Sequence, residues 1–436
     1  MSNLLITGAQ VINPRGPDEV TVATEDVYIS GNYLARVGDR GHLPEGWEPS
    51  QIIDGRGQAL IPGMVNCHTH AAMTLLRGYA DDVALEEWLN QYIWPVEAEL
   101  QAQDVYRGTR LAALEMMRAG ITTFCDMYFF MDEVARAVEE SGLRARLARG
   151  LVGVAPGAQE ALEEAVEWAH RWNGAAGGRI TAELGPHAVY TCPHDFMTQV
   201  IERARQEGLG LHTHISETKD EVELCLDEHQ KSPVRVYCEL GAFDLPVIAA
   251  HLTHLVEGDI EILAREGVGV ALNPVSNLKL AGGFPPAVEL MEAGALLGLG
   301  TDGAASSGHV NLFSEMRMLS LPQKGLRGDA SSLKASRCLY LATRGGALAL
   351  GMERLGLIEP GYLADLCLVD LYRPHLSPVH DVLSALVYGA LGSEIETVIC
   401  DGQVIMKEGQ PQLLDENRVL AEAAESAEAL VDRARR

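Results

Sequence analysis

The chain contains no apolar run of about 18 residues, the length that crosses a membrane, so we expect no spanning helix. Basic residues are also scarce, with 34 Lys and Arg against 61 Asp and Glu and a formal net charge of −27. Such an acidic surface repels nucleic acid and anionic lipid, so we expect neither as a partner. The first residues lack a basic segment followed by a long apolar stretch, so a signal peptide is not predicted.

Closely spaced cysteines are missing as well. The eight cysteines include no Cys-x-x-Cys pair and no dense cluster. In a chain of 436 residues this usage is typical of reduced, mostly buried thiols, and it predicts a cytoplasmic protein. The cysteines are Cys67, Cys125, Cys192, Cys225, Cys238, Cys338, Cys367 and Cys400.

The two ends of the chain share a pattern that the middle lacks. Residues 3–58 and the later segments ADLCLVDL and EIETVICDGQVIMKEG alternate apolar and polar positions around Asp-Gly turns, which predicts β-strands. Neither end alone has enough strands to bury a sheet face. We therefore predict one small β-sandwich built from residues 1–58 and 356–410, followed by a helical tail over residues 411–436.

Over residues 59–355, eight apolar runs alternate with segments of helical periodicity. With 47% hydrophobic residues the chain can bury a large core. Strands that alternate with helices favour a closed parallel sheet, so the predicted fold is an α/β (β/α)8 TIM barrel with the β-sandwich attached. The predicted strands are ALIPGMVNCHTH, ITTFCDMY, RARLARGLVG, RITAELGPH, LGLHTHIS, PVIAAHLTH, GVGVALNP and ALLGLGTDG.

The first predicted barrel strand ends in His68-Thr69-His70. Side chains two apart on a strand point the same way, so both imidazoles can face the barrel mouth and grip one ion. The pair alone is a weak signal. Its place at the carboxyl end of a strand, where barrel enzymes keep their active sites, strengthens it.

Four further predicted strands also end in histidine or aspartate. A packing role would explain any one of them, but five of eight strands with such residues at the same end indicate a metal site. Imidazoles with a carboxylate suit Zn²⁺ or Fe²⁺ better than Mg²⁺ or Ca²⁺. Spacing does not choose between His212 and His214. The residues are His187, His212, His214, His251 with His254 beyond it, and Asp302.

The motifs PGMVNCHTHAAMTLLRG, LGPHAVYTC, HTHISET, AHLTH, NPVSNLKLAGG and LGTDGAASS resemble those of the amidohydrolase superfamily. They are most similar to its S-adenosylhomocysteine/5′-methylthioadenosine deaminase branch. The resemblance covers nearly the whole chain, including GYLADLCLVD near the C-terminus. It implies that His68, His70, His214 and Asp302 hold one divalent ion, most simply Zn²⁺ with Fe²⁺ as the alternative. Relatives with two ions carry a bridging residue where this chain has Gly185-Pro186-His187, so one ion is expected.

The resemblance also implies catalytic roles. Asp302 would accept a proton from the attacking water and deliver it to the leaving ammonia. Glu217, in the His-x-x-Glu pattern that selects His214 over His212, would protonate the ring nitrogen next to the attacked carbon. His251 would hydrogen-bond the reacting oxygen, and His187 would contact the substrate ring. A loop histidine turned to solvent is the alternative for His187.

Besides His187, Glu217 and Asp302, four further residues are predicted to bind substrate through the same resemblance. Trp88 would cover it and Glu97 would accept hydrogen bonds from ribose hydroxyls, against the alternatives of a packed helix residue and a solvated carboxylate. Arg149 matches an arginine near the 5′ substituent, and Ser306 matches a serine near the base or merely forms a turn. A second, carboxylate-binding arginine has no match in GVAPGAQEALEEA, which favours small 5′ substituents over S-adenosylhomocysteine.

The predicted reaction is hydrolytic deamination of a 5′-modified adenosine, either 5′-methylthioadenosine, S-adenosylhomocysteine or 5′-deoxyadenosine, to the inosine analogue and ammonia. A related aminohydrolase or chlorohydrolase acting on guanine, a pterin or a triazine is the alternative. A non-catalytic barrel scaffold is a remote alternative. Relatives of that kind typically lose metal ligands, whereas all four predicted ligands are present here. Relatives of this architecture commonly form homodimers or homotetramers, so one of these is expected.

Overall fold

The computed structural model describes residues 3–38 and 46–436, so parts of the predicted N-terminal segment 1–58 lie outside the described residues. Its strands fall into a closed barrel and one further sheet. The strands are β1 (Asn3–Gly16), β2 (Glu19–Ser30), β3 (Tyr33–Val37), β4 (Gln51–Asp54), β5 (Gln58–Pro62), β6 (Met64–Thr69), β7 (Ile121–Tyr128), β8 (Arg144–Leu151), β9 (Ile180–Pro186), β10 (Gly210–Ile215), β11 (Val247–His251), β12 (Gly269–Leu272), β13 (Leu296–Leu299), β14 (Leu366–Asp370), β15 (Ile395–Cys400), β16 (Gln403–Lys407) and β17 (Gln410–Pro411).

Strands β6 to β13 form the barrel, each parallel to its neighbours, and β13 closes on β6. Each of the eight apolar runs supplies one of these strands, so the predicted TIM barrel is confirmed. Every residue of β6 and β7 is buried, because helices cover the outer face while side chains fill the interior. This burial explains why β6 and β7 are largely apolar without a strict alternation.

Helices follow the barrel strands as predicted, and α4, α7 and α10 end at glycines in the left-handed conformation. The α-helices are α1 (Leu85–Glu87), α2 (Trp94–Glu97), α3 (Ala102–Arg118), α4 (Met131–Ser141), α5 (Ala158–Trp172), α6 (Ala175–Gly178), α7 (His194–Glu207), α8 (Lys219–His229), α9 (Pro233–Glu239), α10 (Asp259–Glu266), α11 (Pro274–Lys279), α12 (Ala287–Glu292), α13 (Ala304–Ser307), α14 (Leu312–Arg327), α15 (Ala335–Tyr340), α16 (Gly346–Ala349), α17 (Val382–Ser384) and α18 (Glu416–Ala434). Short 3-10 segments are Ala71–Leu76 and Ala242–Asp244, and π segments are Trp88–Ile93, Leu341–Gly345 and Ala385–Gly389.

The remaining strands come from both termini, as predicted, and pair in one mixed sheet. The join lies where β5 pairs parallel to β1 and antiparallel to β14. The sheet encloses an apolar core to which both ends contribute, including Ile6, Val27, Leu60 and Leu366. The strands from both termini therefore bury an apolar face together, as predicted for the β-sandwich, but they belong to one hydrogen-bonded sheet. Because β5 reaches Pro62, we propose that the barrel domain begins at Gly63 rather than at residue 59.

The predicted C-terminal helix is α18, which lies against α3. Arg110 on α3 donates to Glu422 on α18 at 2.7 Å, and Arg107 lies 3.1 Å from Glu425. Across the described part of the chain, none of the helices combines the length and apolar character needed to span a bilayer.

Candidate active site

The predicted metal ligands meet at the carboxyl end of the barrel. His68 is near the end of β6, His70 follows it, His214 is on β10, and Asp302 lies three residues after β13. Parallel strands bring their carboxyl ends to the same rim, so these distant residues become neighbours. Asp302 Oδ1 lies 3.5 Å from His68 Nε2 and 3.4 Å from His70 Nε2, and the Nε2 atoms of His214 and His70 are 3.3 Å apart.

Two of these imidazoles are oriented by backbone carbonyls. His70 Nδ1 donates to Met127 O at 2.5 Å, and His214 Nδ1 donates to His187 O at 2.8 Å. With Nδ1 protonated, each ring turns a bare Nε2 towards the centre. A hydrogen bond on one ring nitrogen is how proteins prepare the other nitrogen to bind a metal.

His68 is oriented by another histidine. Its Nδ1 lies 2.8 Å from His212 Nε2, while His212 Nδ1 contacts Cys125 Sγ at 3.4 Å. His212 therefore lies in the barrel wall, behind the cluster. His68 Nε2 is fully buried and has no hydrogen-bond partner within the described chain. An orphaned imidazole nitrogen beside a carboxylate is what a divalent ion would satisfy, so the residues present fit one.

The charge states of the cluster also fit a metal. Burial lowers the pKa of His214 well below its usual range and that of His187 to about 4, so both rings are neutral. Burial alone would raise the pKa of Asp302, but the His68 imidazole, whose Nε2 lies 3.5 Å from Oδ1, and the neighbouring His70 and His251 hold it well below its usual range. Neutral imidazoles with an ionised carboxylate are the ligand forms that Zn²⁺ binds.

Asp302 is held in place by hydroxyl groups from the loops around it. Ser276 Oγ donates to Asp302 Oδ2 at 2.6 Å, and Ser306 Oγ lies 2.9 Å from the same oxygen. Ser306 was predicted to lie near the base or to form a turn, and its hydroxyl also lies 3.0 Å from Gly303 O. We propose that it helps to hold the carboxylate, while its contact with the base stays a prediction. Ser276 was missed, although it lies within the NPVSNLKLAGG motif.

Glu217 and His251 face each other beside the cluster, with 3.7 Å between Glu217 Oε1 and His251 Nε2. Burial raises the pKa of Glu217 well above its usual range, and the charges of Asp302 and Glu221 add to this, which favours the protonated form that a general acid needs. Asn277 Nδ2 donates to His251 Nδ1 at 2.9 Å. His251 therefore carries its proton on Nε2, where it can donate to a reacting oxygen.

A cavity of about 590 Å³ opens above the cluster, a size typical of small-molecule sites. Trp88 is buried, donates to Ala80 O at 3.1 Å and lines this cavity, so it is both a packed helix residue and part of the wall. The other residues from our predictions that line it are His70, Glu97, Arg149, His187, His214, Glu217, His251 and Asp302.

Glu97 is held by a residue that the sequence analysis missed. Tyr128, the last residue of β7, donates its hydroxyl to Glu97 Oε1 at 2.7 Å. Burial raises the pKa of Glu97, while the Tyr128 hydrogen bond opposes that rise. Glu97 is thus an oriented cavity carboxyl rather than a solvated one. Only the pairing of α2 with β7 in space brings these two residues together, and no local motif signals it.

Arg149 lines the cavity but is already partnered. Its Nη2 lies 3.2 Å from Glu164 Oε2, and its Nη1 donates to Gly150 O at 3.0 Å. Among the described residues that line the cavity, Arg149 is the one arginine or lysine. The chain beyond it adds apolar surface through Val152, Val154 and Ala158.

A closed parallel barrel with three imidazoles and a carboxylate converging at its carboxyl end defines the class of metal-dependent hydrolases. A model of the amidohydrolase family matches residues 59–405. The chain belongs to the amidohydrolase family, which confirms the predicted resemblance.

Three relatives show how close this membership is. A 5-methylthioadenosine/S-adenosylhomocysteine deaminase of Pelotomaculum thermopropionicum is 51% identical over 433 residues, 99% of this chain and 100% of that one. A 5′-deoxyadenosine deaminase of Methanosarcina mazei is 44% identical over 99% of both chains. The crystal structure of an adenosine deaminase from Xanthomonas campestris with bound zinc superposes with a TM-score of 0.92 at 34% identity, covering 99% of each chain.

Proposed function

We propose that this enzyme hydrolytically deaminates a 5′-modified adenosine, releasing ammonia and the inosine analogue. One observation carries the proposal: a single cavity is lined by three of the four predicted metal ligands (His70, His214 and Asp302), by the buried acid Glu217 and by the oriented carboxyl Glu97. The cluster and Glu217 suit attack of water on an aromatic amidine carbon. Glu97 suits a ribose diol, because a carboxylate offers acceptors to two hydroxyl donors. The names of the relatives agree with this reading.

We infer that the ion is one Zn²⁺ per chain, held by His68, His70, His214 and Asp302, with Fe²⁺ as the alternative. Bound there, it would lower the pKa of a water molecule towards 7. Asp302 takes the proton of the attacking water and passes it to the leaving amino group. Glu217 protonates the adjacent ring nitrogen as the bond at C6 forms, and His251 Nε2 donates a hydrogen bond to the new oxygen. As ammonia leaves, the remaining hydroxyl hydrogen on that oxygen passes to Glu217, which restores the acid.

The 5′ end of the cavity favours small, neutral substituents. Since Arg149 is paired with Glu164, a substrate carboxylate would have to compete for it. We expect kcat/KM for 5′-methylthioadenosine and 5′-deoxyadenosine to exceed that for S-adenosylhomocysteine by about tenfold or more. Steady-state rates, followed as loss of adenine absorbance, measure this ratio. Glu164→Gln frees Arg149 and should raise the S-adenosylhomocysteine value alone. A wild-type preference for S-adenosylhomocysteine would contradict this account of the 5′ end.

Glu97 is expected to control binding of the ribose. Glu97→Gln keeps the shape but loses a charged acceptor, so KM for the ribonucleoside should rise by roughly 10–100-fold. Tyr128→Phe should raise it less, because Glu97 stays but loses its orientation. The matched control is a 2′,3′-dideoxy analogue, whose already high KM should change little in either variant. Equal effects on both substrates would show that Glu97 does not read the diol.

The rival substrates are guanine, pterins and chlorotriazines, and the rival class is a non-catalytic barrel. An assay panel separates these alternatives from the proposed reaction. It compares the rival substrates with adenosine, 5′-deoxyadenosine, 5′-methylthioadenosine and S-adenosylhomocysteine, and metal content per chain is measured alongside. Absence of ammonia release from every adenosine analogue would reject the proposed reaction. A cytoplasmic location and a homodimeric or homotetrameric state stay predictions.

A further inference from the structure

The turn that carries Glu217 has an unusual backbone. Ser216, the residue between β10 and Glu217, has a φ of +53°, a left-handed conformation that non-glycine residues seldom adopt. Such a conformation persists only where the surroundings hold it. Among the described residues the Glu217 carboxyl accepts no hydrogen bond, and its Oε1 lies 3.7 Å from His251 Nε2. The direction of the carboxyl therefore depends on what holds this turn.

One side of the turn is held by a buried carboxylate. Glu221, in the first turn of α8, accepts the N–H of Ser216 at 3.0 Å through Oε1 and the N–H of Glu217 at 2.7 Å through Oε2. Glu221 is 5% exposed. Its own N–H is capped by Thr218 Oγ1 at 3.1 Å. In an ordinary capping box the glutamate would bond the N–H of Thr218. Here Glu221 instead accepts the N–H groups of the two residues before Thr218.

The opposite side is held by a buried hydroxyl. Thr253, two residues after β11, donates Oγ1–H to Glu217 O at 2.5 Å, and Oγ1 also lies 3.1 Å from Ser216 O. Its N–H donates to Ser216 O at 3.0 Å. The turn thus has both N–H groups bound to Glu221 and both carbonyls bound to Thr253. Since β11 also ends in His251, the same strand places Thr253 and His251 beside Glu217.

We propose that Glu221 and Thr253 are positioning residues, which clamp the Ser216–Glu217 turn and so aim the Glu217 carboxyl at the substrate ring. The proposal rests on the proposed role of Glu217. A buried acid with no bond of its own would otherwise sample several directions, and a displacement of 1 Å can lower a rate by about 10²-fold. The clamp acts through the backbone, so it leaves the carboxyl itself free to transfer its proton.

The test compares two variants at one position. Thr253→Val removes the hydroxyl at nearly constant volume and should lower kcat about tenfold with KM little changed. Thr253→Ser keeps the hydroxyl and should retain most of kcat. Glu221→Gln offers an N–H₂ to a backbone N–H and should lower kcat further, by about 10²-fold. Metal content per chain should equal that of wild type in all three.

Hydrogen exchange at the Ser216 and Glu217 amides reports the clamp without any substrate. It should be faster in Thr253→Val and Glu221→Gln than in wild type and Thr253→Ser. Equal kcat in Thr253→Val and wild type, or equal losses in Thr253→Val and Thr253→Ser, would overturn the proposal. If Glu221→Gln does not fold, the Thr253 pair still decides. A wild-type enzyme that deaminates no adenosine analogue rejects the proposed function instead, while unchanged amide exchange in Thr253→Val rejects the clamp.

Discussion

Asp302→Asn is expected to lower kcat by about 10⁴-fold, close to the full contribution of a catalytic base together with its ion. The amide cannot take a proton from water, and it has no negative charge with which to bind an ion beside the imidazoles of His68, His70 and His214. Ser276 and Ser306 both donate to Oδ2 of Asp302, and the Gly303 N–H donates to Oδ1 at 2.7 Å, so the N–H₂ group of an amide would face a donor in either position. The substitution therefore removes the base and also disturbs the hydrogen bonds that hold the side chain in place.

The measurement is kcat with 5′-methylthioadenosine, alongside metal content per chain and thermal unfolding. Metal content should fall together with kcat. Asp432→Asn, an exposed aspartate on α18, is the matched control and should behave as wild type. Ser306→Ala should show a small loss, because Ser276 still donates to the carboxylate. Full metal content and a kcat within tenfold of wild type in Asp302→Asn would contradict the ligand assignment.

Much of this centre could be predicted because it depends on local patterns. Fully buried parallel strands are apolar throughout, so the eight barrel strands are visible in the sequence. Strand alternation explains why His68 and His70 act together. Strand alternation cannot show whether His212 or His214 is the metal ligand, because residues two apart on β10 share a face. Only their depth in the barrel separates them: His212 packs on His68 and Cys125, while His214 lies at the rim.

The residues that hold the site could not be predicted. Tyr128 meets Glu97, and Thr253 meets the Ser216–Glu217 turn, through contacts between elements distant in sequence. Glu221 lies in a familiar Thr-x-x-Glu capping pattern, which indicates a helix start and says nothing of its reach to Ser216. Supporting contacts of this kind depend on how loops pack on the barrel rim, and they decide how well the catalytic groups are oriented.

Glu217→Gln is expected to lower kcat by about 10²–10⁴-fold while metal content stays at the wild-type level. Glutamine keeps the volume of the side chain but has no acidic proton for the ring nitrogen. Water then has to attack the amidine carbon while the adjacent ring nitrogen is unprotonated, and that nitrogen accepts the displaced electrons poorly. KM should change little, because the side chain acts chiefly after binding, and this split separates Glu217→Gln from a loss of substrate affinity.

Comparison with Asp302→Asn makes the test of Glu217 specific. Both variants lose activity, but only Asp302→Asn should lose its ion, because Glu217 is outside the ligand set. Glu223→Gln, an exposed glutamate on α8, is the matched control and should match wild type. A 6-chloro analogue has a more electrophilic carbon and a leaving group that needs no proton, so its rate should fall less than that of the amino substrate. Equal losses for both substrates would show that Glu217 orients the ring and does not protonate it.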